Sequence, residues 1–216
     1  MDYAMERARL LSELAKDEKN RELRADLLRC DCLLCEENVQ DMGPGWKNPM
    51  LIREILHWAP PLLASGTAEM YDLVYKVCDR SQDTLRRHPR LMVQLLQLKL
   101  DAAVRMDEVN DEEMETPQAI EGEIARLNKN IAYADSGAFD KIEQSGHLKS
   151  DPVEWTARWE AVIDSAEEKA DERLGDEPRG MGFCHSYWSA LSDILAKDYG
   201  LVWRSPSLMN PRVLFD

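Results

Sequence analysis

The sequence predicts an all-α protein, a compact multi-helix bundle of about eight helices followed by a non-helical apolar C-terminal tail. Apolar residues recur at the helical spacing of three and four over most of the 216-residue chain. Residues that start and stop helices interrupt this pattern at intervals. No segment shows the sustained alternation of apolar and polar residues that a half-buried strand has. A chain of this length can form a core without disulfides, so we expect one domain over residues 1–216.

Helix-start and helix-stop residues define the elements of the N-terminal half. Asn48 precedes Pro49, which is the arrangement of a helix cap and its first residue. Pro60 and Pro61 then end that helix near Ala59, because proline cannot donate the backbone hydrogen bond of a helix interior. The pattern predicts helices over residues 3–17, 20–39, 48–59, 67–87 and 91–106.

The C-terminal half follows an acidic linker at residues 107–116, where a division into two subdomains would fall. Asp151-Pro152 has the capping chemistry of a helix start, and Gly200 suits a helix end. The pattern predicts a helix from residue 117 to 135, a short helix between 137 and 145, a long helix over 151–174 and a last helix over 183–199.

The negative charge is concentrated in one stretch. The net charge is −14, and residues 107–177 hold 21 acidic and 7 basic residues, whereas the rest of the chain holds 20 of each. The densest basic cluster, Arg86, Arg87, His88 and Arg90, is too small for a nucleic-acid groove. We therefore expect no nucleic acid as partner. The acidic stretch is interpreted as a solvated surface, or alternatively as one that attracts a basic partner.

The sequence also predicts a cytoplasmic protein without a membrane partner. Its N-terminus has no apolar signal segment, and no apolar run reaches the length of a membrane span. Five cysteines are an odd number, which indicates free thiols in a reducing compartment.

Three cysteines lie close enough in sequence to suggest zinc. Cys30, Cys32 and Cys35 could supply thiolates, with Cys78, Cys184 or His185 completing four ligands; Cys32, Cys35, Cys184 and His185 are the candidates we retain. On a continuous helix, however, Cys30 points away from the other two. Packing of the thiols in a core is the favoured interpretation, and no cofactor is expected.

Two pairs of residues suggest other sites. Glu54 and His57 have the spacing of a di-iron motif, but that chemistry needs the motif on two helices, so an exposed ion pair is favoured. Cys184 and His185 are adjacent and therefore do not face each other on a helix, which favours a structural role.

The long helix over 151–174 carries a row of acids. On one continuous helix these side chains lie opposite the tryptophans, so we expect a solvated face rather than Mg²⁺ ligands. The acids are Glu160, Asp164, Glu167, Glu168 and Asp171.

The tail, residues 201–216, is too apolar to be a free end. We expect it to dock in extended form, on its own chain or on a partner, which leaves a homo-oligomer through the tail as one alternative. The candidate partner surface consists of Trp203, Leu208, Val213, Leu214 and Phe215.

These observations favour a cytoplasmic, non-enzymatic interaction or regulatory protein whose partner has a basic or apolar surface. The sequence contains no catalytic motif to which residues could be assigned. The alternative is a metal-dependent helical-bundle enzyme or metal-binding protein, with Cys/His or Glu/His ligands.

Overall fold

The computed structural model describes residues 2–40, 43–64, 66–85, 87–109, 117–175 and 177–215. Within these ranges the chain is helical and has no strand, which confirms the all-α prediction. The α-helices are α1 Tyr3–Leu14, α2 Arg21–Val39, α3 Asn48–Trp58, α4 Pro60–Leu63, α5 Ala68–Gln82, α6 Pro89–Asp107, α7 Pro117–Asp135, α8 Ala157–Glu160, α9 Ile163–Arg173, α10 Phe183–Tyr199 and α11 Pro206–Met209.

Contacts between residues divide the chain into two units. The first unit comprises residues 1–86 and 91–126, and the second comprises 87–90 and 127–216. Most of the acidic linker proposed as a subdomain boundary, residues 110–116, lies outside the described residues. The single-domain expectation stays a prediction.

The first unit is built around α2, which packs against α1, α3 and α5. One face of α2 meets α1 through Leu27 and Cys30. The other face buries Cys32 and Cys35, and the side chain of Asn48 donates to the Cys35 carbonyl oxygen at 2.9 Å. A helix with two buried faces is the packing that the cysteine positions predict, and the structure confirms it.

The second unit has a core formed mainly by α9 and α10. Small residues on α9, Ala166 and Ala170, allow the large side chains of α10 to approach closely, and Trp159 is fully buried beside them. Leu201 and Trp203 from the tail complete this core. The unit is therefore not finished until the chain has passed the end of α10.

The single long helix predicted over 151–174 is wrong, because the segment forms three separate pieces. Pro152–Trp155 is a 3₁₀ turn capped by Asp151, and Thr156 then adopts an extended conformation and caps α8. A further break at Val162, with φ −124°, precedes α9. Side-chain capping inside the segment competes with a continuous helix, and the angular positions expected for its acids do not hold.

Smaller differences occur at other elements. Asn48 is the first residue of α3 rather than its cap. The short helix predicted between 137 and 145 is one 3₁₀ turn, Phe139–Lys141. In the tail, Pro206 and the cap Ser205 start a helical turn, so the expectation of a wholly non-helical tail is wrong over Pro206–Met209.

No helix among the described residues has the length and apolar character needed to cross a membrane.

Candidate functional site: the C-terminal tail and the ionic cluster

The tail leaves α10 at Gly200, whose φ of +59° turns the chain back on itself. The next five residues are not helical and alternate in burial. Leu201, Trp203 and Ser205 point into the second unit, whereas Val202 is 83% exposed. This alternation divides the segment into side chains that anchor it and side chains that face solvent.

Trp203 is the main anchor of the tail. Its indole Nε1–H donates to Oε1 of Glu154 at 2.7 Å, and its ring lies 5.8 Å from that of Trp159. The Arg87 guanidinium carbon lies 5.3 Å from the Trp203 ring centroid. With 3% exposure, Trp203 belongs to the core of its own chain and not to the partner surface expected from the sequence.

Polar anchors hold the segment on either side of α11. Asp151 accepts from the backbone N–H of Arg204 at 2.8 Å and from its Nε at 2.9 Å. Asn210 exchanges two hydrogen bonds with the backbone of Lys149, at 2.8 and 2.9 Å. These bonds fix the tail backbone at two points.

The end of the tail contacts the N-terminal part of α10. The ring of Phe215 lies edge-on to that of Trp188, with centroids 5.1 Å apart, and its carbonyl oxygen lies 3.2 Å from Nε2 of His185. Earlier, Ser192 Oγ donates to the Trp203 carbonyl oxygen at 3.4 Å. The tail therefore starts at the C-terminal end of α10 and returns to its first turns.

Between these anchors the tail exposes large apolar side chains. We define the tail surface as the set Val202, Leu208, Val213 and Leu214. Leu208 is 69% exposed, Val213 44% and Leu214 92%. Leu208, Val213 and Leu214 are candidates from the sequence, whereas Phe215 is partly buried and Val202 was not among them.

A second feature of this unit is a set of charged side chains around the buried His88, the others being half-buried. We call it the ionic cluster, and it consists of Arg87, His88, Glu160, Asp164 and Glu167. Arg87 Nη1 donates to Glu167 at 3.0 Å. His88 is 3% exposed, with Nδ1 3.4 Å from Glu160 and Nε2 3.1 Å from Asp164. His88 therefore bridges α8 and α9 through their carboxylates, and Arg87 binds a carboxylate of α9.

The backbone at Arg87 supports this cluster. Arg87 has φ +60°, a left-handed conformation that non-glycine residues rarely adopt. The Trp159 indole N–H donates to the Arg87 carbonyl oxygen at 2.9 Å, which fixes that carbonyl against the core. Packing of the tryptophan thus holds the turn that presents both cations.

Burial and pairing set the protonation of the cluster. Burial alone lowers the pKa of His88, but its contacts with Asp164 and Glu160 outweigh burial and raise the pKa to about 9. Burial raises the pKa of Glu167, and the charges of Arg87 and His88 partly offset this. Near neutral pH the histidine is therefore a cation.

The expectation that these acids form a solvated face is wrong. The side chains of Glu160 and Glu167 are only 14% exposed, and Asp164 is 32% exposed. Within α9, Glu167 lies one turn beyond the buried Ile163 and shares its inward face. Arg87 and His88, the cations that pair with these acids, are also more than 70 residues away in sequence.

The cysteine candidates of the first unit are core residues. Cys32 is 1% exposed, with Sγ 3.9 Å from the Val77 carbonyl oxygen, and Cys35 is fully buried. Burial raises the pKa of both thiols, which disfavours the thiolate that a metal needs.

Glu54 and His57 do not form the exposed ion pair that their spacing predicts. Glu54 lies 2.5 Å from Arg7, and the same guanidinium donates to the fully buried Asp31 at 3.0 Å. Burial, reinforced by the Glu54 charge and partly offset by Arg7, raises the pKa of Asp31 to about 7. His57 instead lies edge-on to Trp58, 4.6 Å away.

The remaining two candidates lie in the first turn of α10. Cys184 is partly buried, and His185 is exposed with the Phe215 contact described above. Over the described ranges, no three histidine, cysteine, aspartate or glutamate side chains are grouped so that they could hold a metal ion.

Comparison with known proteins gave no relative: no family model, curated protein or solved structure matches the chain.

Sequence reasoning missed the partnership of His88 and Arg87 with the acids of α8 and α9, and the burial of Asp31. A signal was present for the first of these. The basic cluster around residues 86–90 stands opposite an excess of acid farther along the chain. Nothing in the sequence pairs particular residues across more than 70 positions.

Proposed function

We propose that this protein is a non-enzymatic interaction protein that binds another polypeptide through the tail surface. The observation that supports this is that some side chains of the tail anchor it to the body while others remain exposed. Trp203, Arg204 and Asn210 hold the tail in place, while Leu208 and Leu214 are left facing solvent. A fixed backbone presenting apolar side chains loses little conformational entropy when it binds.

The apolar side chains can drive such binding. Fully burying one large apolar side chain contributes roughly 1.5–3 kcal/mol, so the four residues together could contribute roughly 6–12 kcal/mol. Association costs about 4–15 kcal/mol in lost translational and rotational freedom. Burial of the tail surface is thus comparable to the cost of association and leaves little surplus. The partner must therefore bury apolar side chains of its own at the contact.

The ionic cluster fits a structural role in this proposal. Arg87 and His88 each engage carboxylates of their own chain, and the cluster lies beneath the tail that Trp203 anchors. A buried cation with a fixed partner is poorly placed to accept a substrate group.

The proposed setting is the cytoplasm, because four of the five free cysteines are buried thiols that need no oxidising compartment. Basic groups on the partner would complement the net charge of −14.

Site-specific photo-crosslinking tests the proposal. A photoreactive amino acid is placed at Leu208 and, in a control, at Met5 of α1, which is 70% exposed and lies outside the tail. We expect a discrete adduct from position 208 that position 5 does not give. The crosslinked protein is identified by mass spectrometry, purified and titrated by calorimetry against wild-type protein and the variant Leu208→Asp/Leu214→Asp.

The proposal predicts that this variant weakens binding at least about tenfold, which corresponds to about 1.4 kcal/mol. Equal adducts from both positions, or binding that the variant leaves unchanged, would refute a role for the tail surface.

A further inference from the structure

We propose that α1 is a pH-sensitive element of the first unit. A proton held at the buried carboxyl of Asp31 keeps α1 docked, and loss of this proton at higher pH lets α1 open locally. This role is independent of the tail surface. Two features support it, namely the geometry of one buried cluster and the way in which α1 is attached to its unit.

One guanidinium joins three helices at this cluster. Arg7 of α1 donates from Nε to Oδ1 of Asp31 on α2 at 3.0 Å, and its Nη2 lies 2.5 Å from Oε2 of Glu54 on α3. Asp31 is fully buried, and its Oδ2 has no hydrogen-bond partner among the described residues. Two acids therefore share one cation, and one of these acids has no access to water.

Ionisation of Asp31 is unfavourable in this setting. With both acids ionised, the cluster carries one negative charge more than Arg7 neutralises. A proton on Asp31 removes this excess charge from the interior. In agreement, burial and the Glu54 charge raise the pKa of Asp31 to about 7, although Arg7 acts in the opposite direction.

The neighbours of Asp31 on α2 do not balance its charge. Cys30 and Cys32 lie on either side of it, and burial raises the pKa of both thiols, so both are neutral near pH 7. Arg24, about two turns earlier, lies over the ring of Trp58, 5.6 Å from its centroid. Arg7 is therefore the cation on which an ionised Asp31 depends.

Charged groups on the elements that pack against α2 have contacts of their own. His57 of α3 is exposed and lies edge-on to Trp58. The other contacts are Arg80 with Glu36 at 2.7 Å, Glu6 with Arg9 at 2.6 Å, and Lys47 over the ring of Trp46 at 5.2 Å. The titration that acts on α1 near neutral pH is therefore assigned to Asp31.

α1 is the peripheral member of the three helices. It packs chiefly against α2, whereas α2 also packs against α3 and α5. The contact between α1 and α2 is formed mainly by the buried residues Leu10, Leu14, Leu27 and Cys30. Opening of α1 carries Arg7 away and exposes Asp31 to water, where its pKa returns to an ordinary value near 3.9.

The proton on Asp31 therefore favours the docked state of α1. Its stabilising effect is complete below about pH 4 and is lost as the pH rises through about 7, the pKa in the docked state. From these two pKa values, the open fraction of α1 rises by up to roughly 80-fold between pH 5 and pH 8.

Hydrogen exchange of the backbone amides in the full chain tests the proposal between pH 5 and pH 8. The protection factor, which is the intrinsic exchange rate divided by the observed rate at the same pH, removes the pH dependence of the exchange chemistry. In wild type we expect α1 to be less protected than α5, and its protection to fall at least about tenfold over this range.

The fall should be absent in Asp31→Asn, because the buried side chain no longer ionises. The matched control, Asp26→Asn, changes a 53% exposed aspartate of α2 and should keep the wild-type fall. Glu54→Gln gives a second comparison, should Asp31→Asn fail to fold. It removes a charge that raises the pKa of Asp31, so the fall should be smaller than in wild type.

Three results would overturn the proposal. The first is protection of α1 that does not change with pH in wild type. The second is a wild-type fall that persists in Asp31→Asn or, where that variant does not fold, in Glu54→Gln. The third is equal protection of α1 and α5 at every pH, because α1 then opens only when the whole unit unfolds.

Discussion

His88 shows how one buried residue can control the stability of a unit. Both of its ring nitrogens face carboxylates, Glu160 and Asp164, which raise its pKa to about 9. Because the folded state binds this proton more tightly than the unfolded state, His88 stabilises the fold fully below its unfolded pKa near 6.5. This stabilisation is lost as the pH rises through about 9, its pKa in the folded state. The shift corresponds to roughly 3 kcal/mol.

We therefore predict that wild type loses stability between pH 6.5 and pH 9.5, and that His88→Gln removes most of this loss. Urea unfolding across that range measures it. His147→Gln is the control, because His147 is exposed in the same unit. If both variants show the same pH dependence, His88 is not the titrating group.

Asp31 gives a second pH dependence, in the first unit. Its pKa is raised to about 7, so the folded state binds a proton more tightly than the unfolded state. Stability is therefore greatest below about pH 4 and falls as the pH rises toward 7, by about 4 kcal/mol for this group.

Asp31→Asn should reduce the stability difference between pH 5 and pH 8, because the buried group no longer ionises. The control Asp26→Asn changes a 53% exposed aspartate on the same helix and should keep the wild-type profile. An unchanged profile in Asp31→Asn would mean that Asp31 ionises normally.

The burial of a single residue was predictable from sequence where the helical spacing of its neighbours determines it. The two faces of α2 follow from helical spacing, and this placed Cys32 and Cys35 in the core. Asp31 directly precedes Cys32 on the same helix, but its burial depends on Arg7 and Glu54, which come from other helices. Sequence spacing contains no information on that convergence.

At the scale of elements, capping side chains decide where the segment 151–174 breaks. Thr156 accepts from the backbone N–H of Trp159 at 3.2 Å, and its hydroxyl donates to the Val153 carbonyl oxygen at 2.8 Å. Thr67 holds the equivalent position before α5 without a side-chain cap bond. The two threonines form a natural comparison.

Thr156→Ala should destabilise the protein by about 1 kcal/mol, the usual contribution of a helix cap. Thr67→Ala should change the free energy of unfolding by less, because no cap bond is lost. Chemical denaturation of both variants measures the difference. Equal losses would show that the Thr156 cap does not stabilise the break.

The tail is an element whose stabilising role can be tested by truncation. Removal of residues 201–216 deletes Leu201 and Trp203 from the core of the second unit, and loss of a large buried side chain typically costs 3–5 kcal/mol. We predict that the chain ending at Gly200 has a clearly lower melting temperature by circular dichroism. A truncated chain as stable as wild type would mean that the tail does not dock.

Helix boundaries were predicted well where proline or glycine marks them. The start of α7 at Pro117 and the end of α10 before Gly200 are examples, whereas α6 begins at Pro89, two residues before the predicted start. The pieces within 151–174 were missed because threonine and aspartate caps are also compatible with solvent-facing positions of a longer helix. In the broken segment the Trp159 indole N–H donates to the Arg87 carbonyl oxygen, a contact that is remote in sequence and that local pattern does not reveal.

For the whole molecule, apolar periodicity is sufficient to establish the all-α class, and composition reveals the uneven distribution of acid. Composition does not show that several acids of the second unit are buried against Arg87 and His88. It likewise cannot divide the apolar residues of the tail into anchors such as Trp203 and exposed residues such as Leu214. That division depends on which side chains the rest of the unit can cover.

The central claim is that the outward residues of the tail contribute to contacts with another polypeptide and not to the fold. The most direct test is the free energy of unfolding of Leu208→Ser/Leu214→Ser, measured by urea denaturation at a protein concentration low enough to keep the chain monomeric. The account predicts a value within about 0.5 kcal/mol of wild type for each exposed position. A loss of several kcal/mol, as for buried leucines, would show that these side chains belong to the core and would contradict the account.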